Sequence, residues 1–375
     1  WSMAFDLRGT CRVSLGTAEQ PRGTDPMPGL EQAIADFDQA LALAQGDPSA
    51  LANRSNAVSR VGRLTAARGG DPRVWFEKAI ADLDQAIERF PRFLEGLDAR
   101  GGNWQLLGDA EALRGIDPRP RYERALADHA AVLKIAPDRA TARLECASAR
   151  LRIAEAEMLR GIDPRPSYEA AIEGYTKTLE VNPEWANAWA SRGSARFRLG
   201  QAEATQGIDA RGRYESGIAD YEEALKRNPG FLEVRLNRGA ARIVLAQVQL
   251  DAGEDPRPTL EAALADFAEA LKAGPNAQLH NNAANAWRCL ARAEVKFGAD
   301  PRASLERGLD ETRRATEIVQ RFWQALSTRA QIQEEMGDLA GAVESYKAAI
   351  EACGDASPTL RLLLQRVEEK LDGRK

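Results

Sequence analysis

An aspartate that opens a DPRP-like turn recurs through the chain at a nearly constant interval. Five of the six intervals are 46 residues and the last is 45, with the aspartates at Asp25, Asp71, Asp117, Asp163, Asp209, Asp255 and Asp300. Longer phrases recur with this turn, such as GIDPRPRYERALADHAAVLKIAPD from residue 115 and GIDPRPSYEAAIEGYTKTLEVNPE from residue 161. A period of this size is typical of stacked repeats, in which each unit buries its apolar face against its neighbours.

Each repeat predicts two helices joined by the turn. Residues 185–206 are rich in alanine and arginine, with apolar residues at helical spacing, and Gly207 then favours a left-handed helix stop. Asp209 is suited to cap a second helix after the turn. A proline follows the second helix in five repeats, at Pro91, Pro137, Pro183, Pro229 and Pro275. The predicted repeat is therefore helix, turn, helix, stop.

Small residues recur where the two helices of one repeat should cross, because small side chains let helices approach closely. In the first helix they are Gly9, Ser55, Gly101, Ala147, Gly193, Gly239 and Ala284. In the second helix they are Ala33, Ala79, Ala125, Ala171, Gly217, Ala263 and Gly308. The space one turn further on is predicted to be filled by Phe37, Leu83, Tyr175, Tyr221 and Phe267, and by His129 in the third repeat.

The fifth repeat resembles the tetratricopeptide repeat once twelve residues between Gly200 and Arg213 are set aside. The family's signature positions are then taken by Trp189, Gly193, Gly200, Tyr221, Ala224 and Pro229. Residues 322–355 have the family's ordinary 34-residue length without the extra twelve. The resemblance implies an all-α fold, a right-handed α-solenoid of stacked antiparallel helix pairs that forms a superhelix. The insert is predicted to lengthen the first helix by about two turns.

The expected domain organisation follows from this period. Residues 1–321 would form seven repeats, 322–355 one ordinary repeat, and 356–375 a capping helix with a tail. Trp1 lies four periods before Trp185, so we expect an uncapped first helix, covered either by preceding sequence in a longer protein or by another copy. At the other end, the amphipathic segment after Ser357 is expected to cap the stack.

Composition and motifs argue against several functional classes. The formal charge of −5, with basic and acidic residues mixed, does not suit a nucleic-acid binder, and no apolar run is long enough to insert into a membrane. No nucleotide-binding or hydrolase motif occurs, so we expect no enzymatic activity, cofactor or metal site. The two histidines are predicted to be structural, His129 packed in the core and His280 on a polar surface beside Asn281.

Two rows of side chains are the candidate binding residues. The first row, which we call the inner set, follows from the resemblance, because tetratricopeptide proteins bind peptides along their concave face. It consists of Asn56, Arg60, Asp98, Gln105, Ser148, Arg152, Asn187, Ser194, Phe197, Arg198, Asn285 and Arg288. The second row, the ridge arginines, recurs in the turns along one edge and consists of Arg73, Arg119, Arg165, Arg211, Arg257 and Arg302.

These features together predict a protein-protein interaction scaffold that binds a protein or peptide partner. One alternative is a structural subunit that forms homo-oligomers, stacking end to end through its uncapped N-terminal end into a filament. Another is the C-terminal regulatory region of a larger bacterial signalling protein such as a Ser/Thr kinase. Four widely separated cysteines favour a reducing compartment such as the cytoplasm, whereas a fibre subunit would be extracellular.

Overall fold

The computed structural model describes residues 1–19, 25–354 and 357–373, without the side chains of residues 15–19. Within these residues it contains 17 α-helices and no strand. The contacts divide the chain into two compact units, Trp1–Glu184 (unit 1) and Trp185–Lys375 (unit 2). The predicted domain border between residues 355 and 356 and the end of the predicted tail lie outside the described residues.

Among the described residues, unit 1 contains eight helices and unit 2 contains nine. Those of unit 1 are α1 (Ser2–Glu19), α2 (Met27–Leu43), α3 (Pro48–Ala67), α4 (Arg73–Arg89), α5 (Leu94–Ala112), α6 (Arg119–Ile135), α7 (Ala140–Leu159) and α8 (Arg165–Val181). Those of unit 2 are α9 (Ala186–Ala204), α10 (Arg211–Arg227), α11 (Leu232–Asp251), α12 (Arg257–Leu271), α13 (Ala277–Lys296), α14 (Arg302–Ile318), α15 (Trp323–Met336), α16 (Leu339–Cys353) and α17 (Pro358–Asp372).

The helices pack as consecutive pairs, which we number hairpin 1 (α1–α2) to hairpin 8 (α15–α16). Within each unit, the second helix of a hairpin also contacts the first helix of the next, and neighbouring first helices contact each other. The remaining helix, α17, packs on α16. The predicted all-α solenoid of stacked helix pairs is confirmed.

The recurring aspartate holds the start of each second helix. In all seven long hairpins its carboxylate accepts a hydrogen bond from the backbone N–H two residues later, at 3.0–3.2 Å, as Asp71 does from Arg73 and Asp255 from Arg257. This bond satisfies a backbone donor that the helix itself cannot satisfy. Before the turn, Gly207 has φ of 74°, a left-handed conformation that glycine adopts without strain.

The long hairpins differ from hairpin 8 in their helices and in their turn. Their first helices have 18–20 residues, whereas α15 has 14. The added length is thus between one and two turns, less than the predicted two. In hairpin 5 the connection spans residues 205–210, against 337–338 in hairpin 8, so part of the extra sequence lies in the turn.

The core lies where the helices of one hairpin cross. A methyl group on Gly193 would come within 2.9 Å of the Gly217 carbonyl oxygen and 3.0 Å of the Tyr221 ring. A methyl group on Gly239 would come within 2.6 Å of the Phe267 ring. The predicted close approach is therefore real, and the aromatic rings of Tyr221 and Phe267 are buried against the facing helix.

Candidate binding surfaces

A row of ion pairs that was not predicted from the sequence joins the two helices of a hairpin. An arginine just before the small residue of the first helix pairs with an aspartate 28 residues later on the second helix. These pairs are Arg8–Asp36, Arg54–Asp82, Arg100–Asp128, Arg192–Asp220 and Arg238–Asp266. All five aspartates are buried. The signal was the constant spacing of Arg and Asp in the repeats.

Hairpin 4 lacks this ion pair. Cys146 stands in the arginine position and Gly174 in the aspartate position. Burial raises the pKa of the Cys146 thiol to about 11, so the side chain is a neutral apolar group at pH 7. Both charged partners are absent together, which leaves no unpaired buried carboxylate at this crossing.

In unit 1, several members of the inner set hold the fold together. The Gln105 side chain is buried and donates to Glu145 at 3.2 Å, and the Tyr175 hydroxyl donates to Ser148 at 3.3 Å. Asp98 pairs with Arg139 at 2.8 Å, and Arg152 donates to Asp109 at 2.5 Å. Asn56 accepts from Arg60 at 3.0 Å, and it is the exposed member of the set in unit 1.

In unit 2, the inner set is similarly divided between packing and exposure. Ser194 and the Tyr221 hydroxyl are hydrogen-bonded at 3.0 Å, and the rings of Phe197 and Tyr214 lie 5.5 Å apart. Arg288 pairs with Glu335 at 3.1 Å. The exposed members are Asn187 and Arg198, while Asn285 is half-buried. A binding role for the inner set stays a prediction.

Each ridge arginine is the first residue of a second helix, and its guanidinium contacts local carboxylates. Five pair with the aspartate two residues earlier, at 2.6 Å (Arg73, Arg119 and Arg257), 2.7 Å (Arg165) and 3.7 Å (Arg302). Arg211 instead pairs with Glu215 at 2.9 Å and with Glu254 at 2.6 Å. A role for these arginines in partner binding also stays a prediction.

The ridge pairs predict an unusual acid titration. The guanidinium and backbone N–H of Arg73 hold the pKa of Asp71 at about 2, and those of Arg119 do the same for Asp117. Because these values lie below the roughly 3.9 of an unfolded aspartate, the stabilisation is present above about pH 4 and is lost as pH falls through 2. Carboxyl ¹³C shifts should therefore move near pH 2 for Asp71. In the Arg73→Ala control, the pH midpoint of the Asp71 titration should rise. A midpoint near pH 4 for Asp71 in the wild type would contradict the ridge geometry.

The two histidines are both structural, but only one lies where it was predicted. His129 is buried in the core position, with Nδ1 3.4 Å from Asp98 and Nε2 3.4 Å from Gln105. The surface prediction for His280 is wrong. Its side chain is buried, and Nδ1 lies 2.6 Å from the Glu311 carboxylate. Glu311 takes the position of the hairpin aspartate, so the local sequence Asn281–Asn282 did not reveal this cross-helix partner.

Neither a membrane span nor a metal site is found in the part of the chain that the structure describes. No described helix is both long and apolar enough to cross a bilayer. No cluster of three or more His, Cys, Asp or Glu side chains with metal-binding arrangement occurs among the described residues. The four cysteines, at positions 11, 146, 289 and 353, are free thiols.

The fold and its surfaces define an all-helical repeat protein of the α-solenoid class. Residues 324–355 match the family model of the tetratricopeptide repeat. The matched segment is hairpin 8, so this hairpin is a tetratricopeptide repeat. Proteins built from this repeat are generally protein-interaction scaffolds that bind proteins or peptides.

Solved structures with likeness to this chain include several tetratricopeptide-repeat proteins. One from Parabacteroides merdae is 15% identical, with 84% of this chain and 98% of that chain covered and a TM-score of 0.45. A thermophilic one from Thermus thermophilus is 18% identical, with 62% and 98% covered and a TM-score of 0.38. YrrB, described as having an unusual peptide-binding site, is 15% identical, with 65% and 94% covered and a TM-score of 0.36. At these scores the likenesses support no conclusion about function. No curated protein sequence matches this chain.

Proposed function

We propose that this chain is a non-catalytic scaffold that binds a protein or peptide partner. The observation that carries the proposal is the side-by-side packing of first helices, α3 on α5 and α5 on α7 in unit 1, and α9 through α15 in unit 2. Side chains one repeat apart are thereby presented next to each other. Such a stack offers long surfaces that suit an extended or helical peptide.

The chemistry of the perturbed side chains supports the same proposal. Burial raises the pKa of Tyr221 to about 12, and this hydroxyl is bonded to Ser194 within its own hairpin. The lowered pKa of Asp71 comes from the turn arginine that the aspartate helps to position. Each perturbation thus has a cause in packing or capping that recurs with the repeat, which favours a structural role for these groups.

Selection from a peptide library tests the proposal directly. Panning a display library of random 12-residue peptides on the purified chain is expected to enrich a consensus sequence that binds in isothermal titration calorimetry. The urea-unfolded chain serves as the control and should enrich none of these sequences. The scaffold function would be contradicted if repeated selections enriched no binding sequence and the chain turned over a small substrate in a reaction that one substitution abolishes. The protein would then be an enzyme.

End-to-end stacking is a second candidate, favoured by exposed apolar side chains in hairpin 1 and just before it. Trp1, Met3 and Leu7 are 94%, 84% and 64% exposed, an apolar group that a second copy would bury. A contact of this heterologous kind propagates into a fibre unless it closes. Sedimentation velocity on the purified chain distinguishes the two functions. The sedimentation coefficient of a fibre subunit increases with protein concentration, whereas that of a scaffold stays constant.

A further inference from the structure

Two neighbouring hairpins of unit 1 build the same pocket at the edge where the ridge arginines lie. The first edge pocket, of about 350 Å³, lies between the turn of hairpin 2 and the end of α5, and is lined by Phe76 and Leu113. The second, of about 490 Å³, lies between the turn of hairpin 3 and the end of α7, and is lined by Tyr122 and Leu159. The two pockets correspond residue by residue at the repeat spacing: Phe76 and Leu113 of the first occupy the positions of Tyr122 and Leu159 in the second, 46 residues later.

The long first helices are what create these pockets. Helices α5 and α7 have 19 and 20 residues, and their last turns form the outer wall of the first and second edge pocket, respectively. Helix α15 has 14 residues and ends before an equivalent wall is formed. The extra sequence of hairpins 2 to 4 therefore forms the walls of these two pockets.

The rims of both pockets carry a leucine that the fold leaves in water. Leu113 is 87% exposed and Leu159 is 81% exposed. At the same position hairpins 2, 5, 6 and 7 have Ala67, Thr205, Asp251 and Lys296. Since covering apolar surface removes it from water, burying these two side chains would stabilise a complex. The leucine rim is thus a shared property of these two neighbouring pockets.

The charges around the pockets favour an anionic partner, although the whole chain carries −5. Four arginines line the two pockets, and three of them form ion pairs within the fold: Arg114 with Asp71 at 3.3 Å, Arg160 with Asp117 at 3.4 Å, and Arg152 with Asp109. Asp109 already accepts from Arg152 at 2.5 Å. The fourth, Arg63, is exposed at the first edge pocket and forms no ion pair with any side chain that the structure describes. An acidic group on a partner would supply the missing counter-charge.

The spacing of the pockets suits an extended peptide. Helices α5 and α7 contact each other, and packed helices lie about 8–10 Å apart. Three residues of a polyproline-type extended chain span about 9 Å and return the side chain to the same face. A peptide with two apolar side chains three positions apart would therefore reach both pockets.

We propose that the two edge pockets form one docking site for an extended acidic peptide that places an apolar side chain in each pocket. This proposal rests on the scaffold function proposed above and assigns it to the edge instead of the inner set. The turn of each hairpin and the extended helix of the next provide the walls, Leu113 and Leu159 provide the apolar contact, and Arg63 provides the charge.

Fluorescence anisotropy with designed peptides tests the site. The probes are fluorescein-labelled 12-residue glutamate-rich peptides with two leucines three positions apart, and matched peptides with adjacent leucines or with lysines in place of the glutamates. The glutamate peptide with spaced leucines is expected to bind the full chain most tightly. The double variant Leu113→Thr/Leu159→Asp, which installs the residues of hairpins 5 and 6, should weaken binding at least tenfold. Arg63→Glu should weaken it as well.

A matched control and the remaining outcomes separate this proposal from the scaffold function. Leu362 on α17 is 68% exposed, and Leu362→Asp should leave binding unchanged. The edge site is wrong if the lysine peptide binds as tightly as the glutamate peptide. It is also wrong if peptides selected by display bind Asn56→Ala/Arg60→Ala more weakly than the wild type but bind Leu113→Thr/Leu159→Asp equally well. In that case the scaffold function stands. If neither designed nor selected peptides bind the wild type, both proposals fail.

Discussion

Replacing Asp220 by alanine is expected to lower the free energy of unfolding by about 3–5 kcal/mol, because two buried arginine interactions lose their counter-charge. The Asp220 carboxylate is 2% exposed and accepts from Arg192 at 3.0 and 2.8 Å and from Arg196 at 2.8 Å. Arg192 is itself buried. Removing the carboxylate strands a guanidinium between α9 and α10, where water reaches it poorly.

Urea unfolding followed by circular dichroism measures the loss of unfolding free energy in Asp220→Ala, and hydrogen exchange shows which helices are destabilised. Because a repeat stack is stabilised hairpin by hairpin, faster exchange should be concentrated in α9 and α10. The control is Glu269→Ala, which removes the partner of Lys272 in a surface pair and is expected to change nothing measurable. Equal effects of the two variants would show that the buried pair contributes no more than a surface pair.

Replacing Phe267 by alanine is expected to cost about 3–5 kcal/mol through a cavity between α11 and α12. The Phe267 side chain is fully buried, and its ring lies directly over Gly239. Gly239→Ala alone should cost about 1–3 kcal/mol, since its added methyl group would lie 2.6 Å from that ring. The same methyl group would occupy part of the cavity in the double variant.

The double variant Phe267→Ala/Gly239→Ala provides the internal control for this packing. Its loss of stability should be no larger than that of Phe267→Ala alone, so the two changes should couple by at least the cost of Gly239→Ala alone, about 1–3 kcal/mol. Urea unfolding of the four proteins in this cycle gives the coupling. Strict additivity would mean that Gly239 and Phe267 do not contact each other, contrary to the hairpin geometry described above.

The hairpin itself could be predicted closely from the sequence. The turn aspartate, Gly207 and the small residue Gly193 each act on their nearest neighbours or at one helix crossing, and the repetition made their roles visible. The buried pair Arg192–Asp220 was equally periodic, yet charged residues on a helix are normally assigned to solvent, so its burial went unpredicted.

The binding surfaces could be predicted less well, because exposure depends on neighbouring hairpins. Gln105 and Ser148 stand at inner-set positions, but the packing of α5 on α7 and of α7 on α8 uses their polar atoms within the fold. Leu113 and Leu159 show the opposite case. Their apolar side chains fit a helical core pattern, and only the packed structure places them on an open rim.

The sequence by itself determined the repeat period, the helix pairs and the points where their helices cross. These depend on local capping, on glycine conformations and on the size of side chains that recur every 46 residues. Only the tertiary structure decided which aspartates are buried in ion pairs, where His280 lies, and that two turns close into pockets. Those properties arise between residues 24 or more positions apart, where the angle and distance of the packed helices set the contacts.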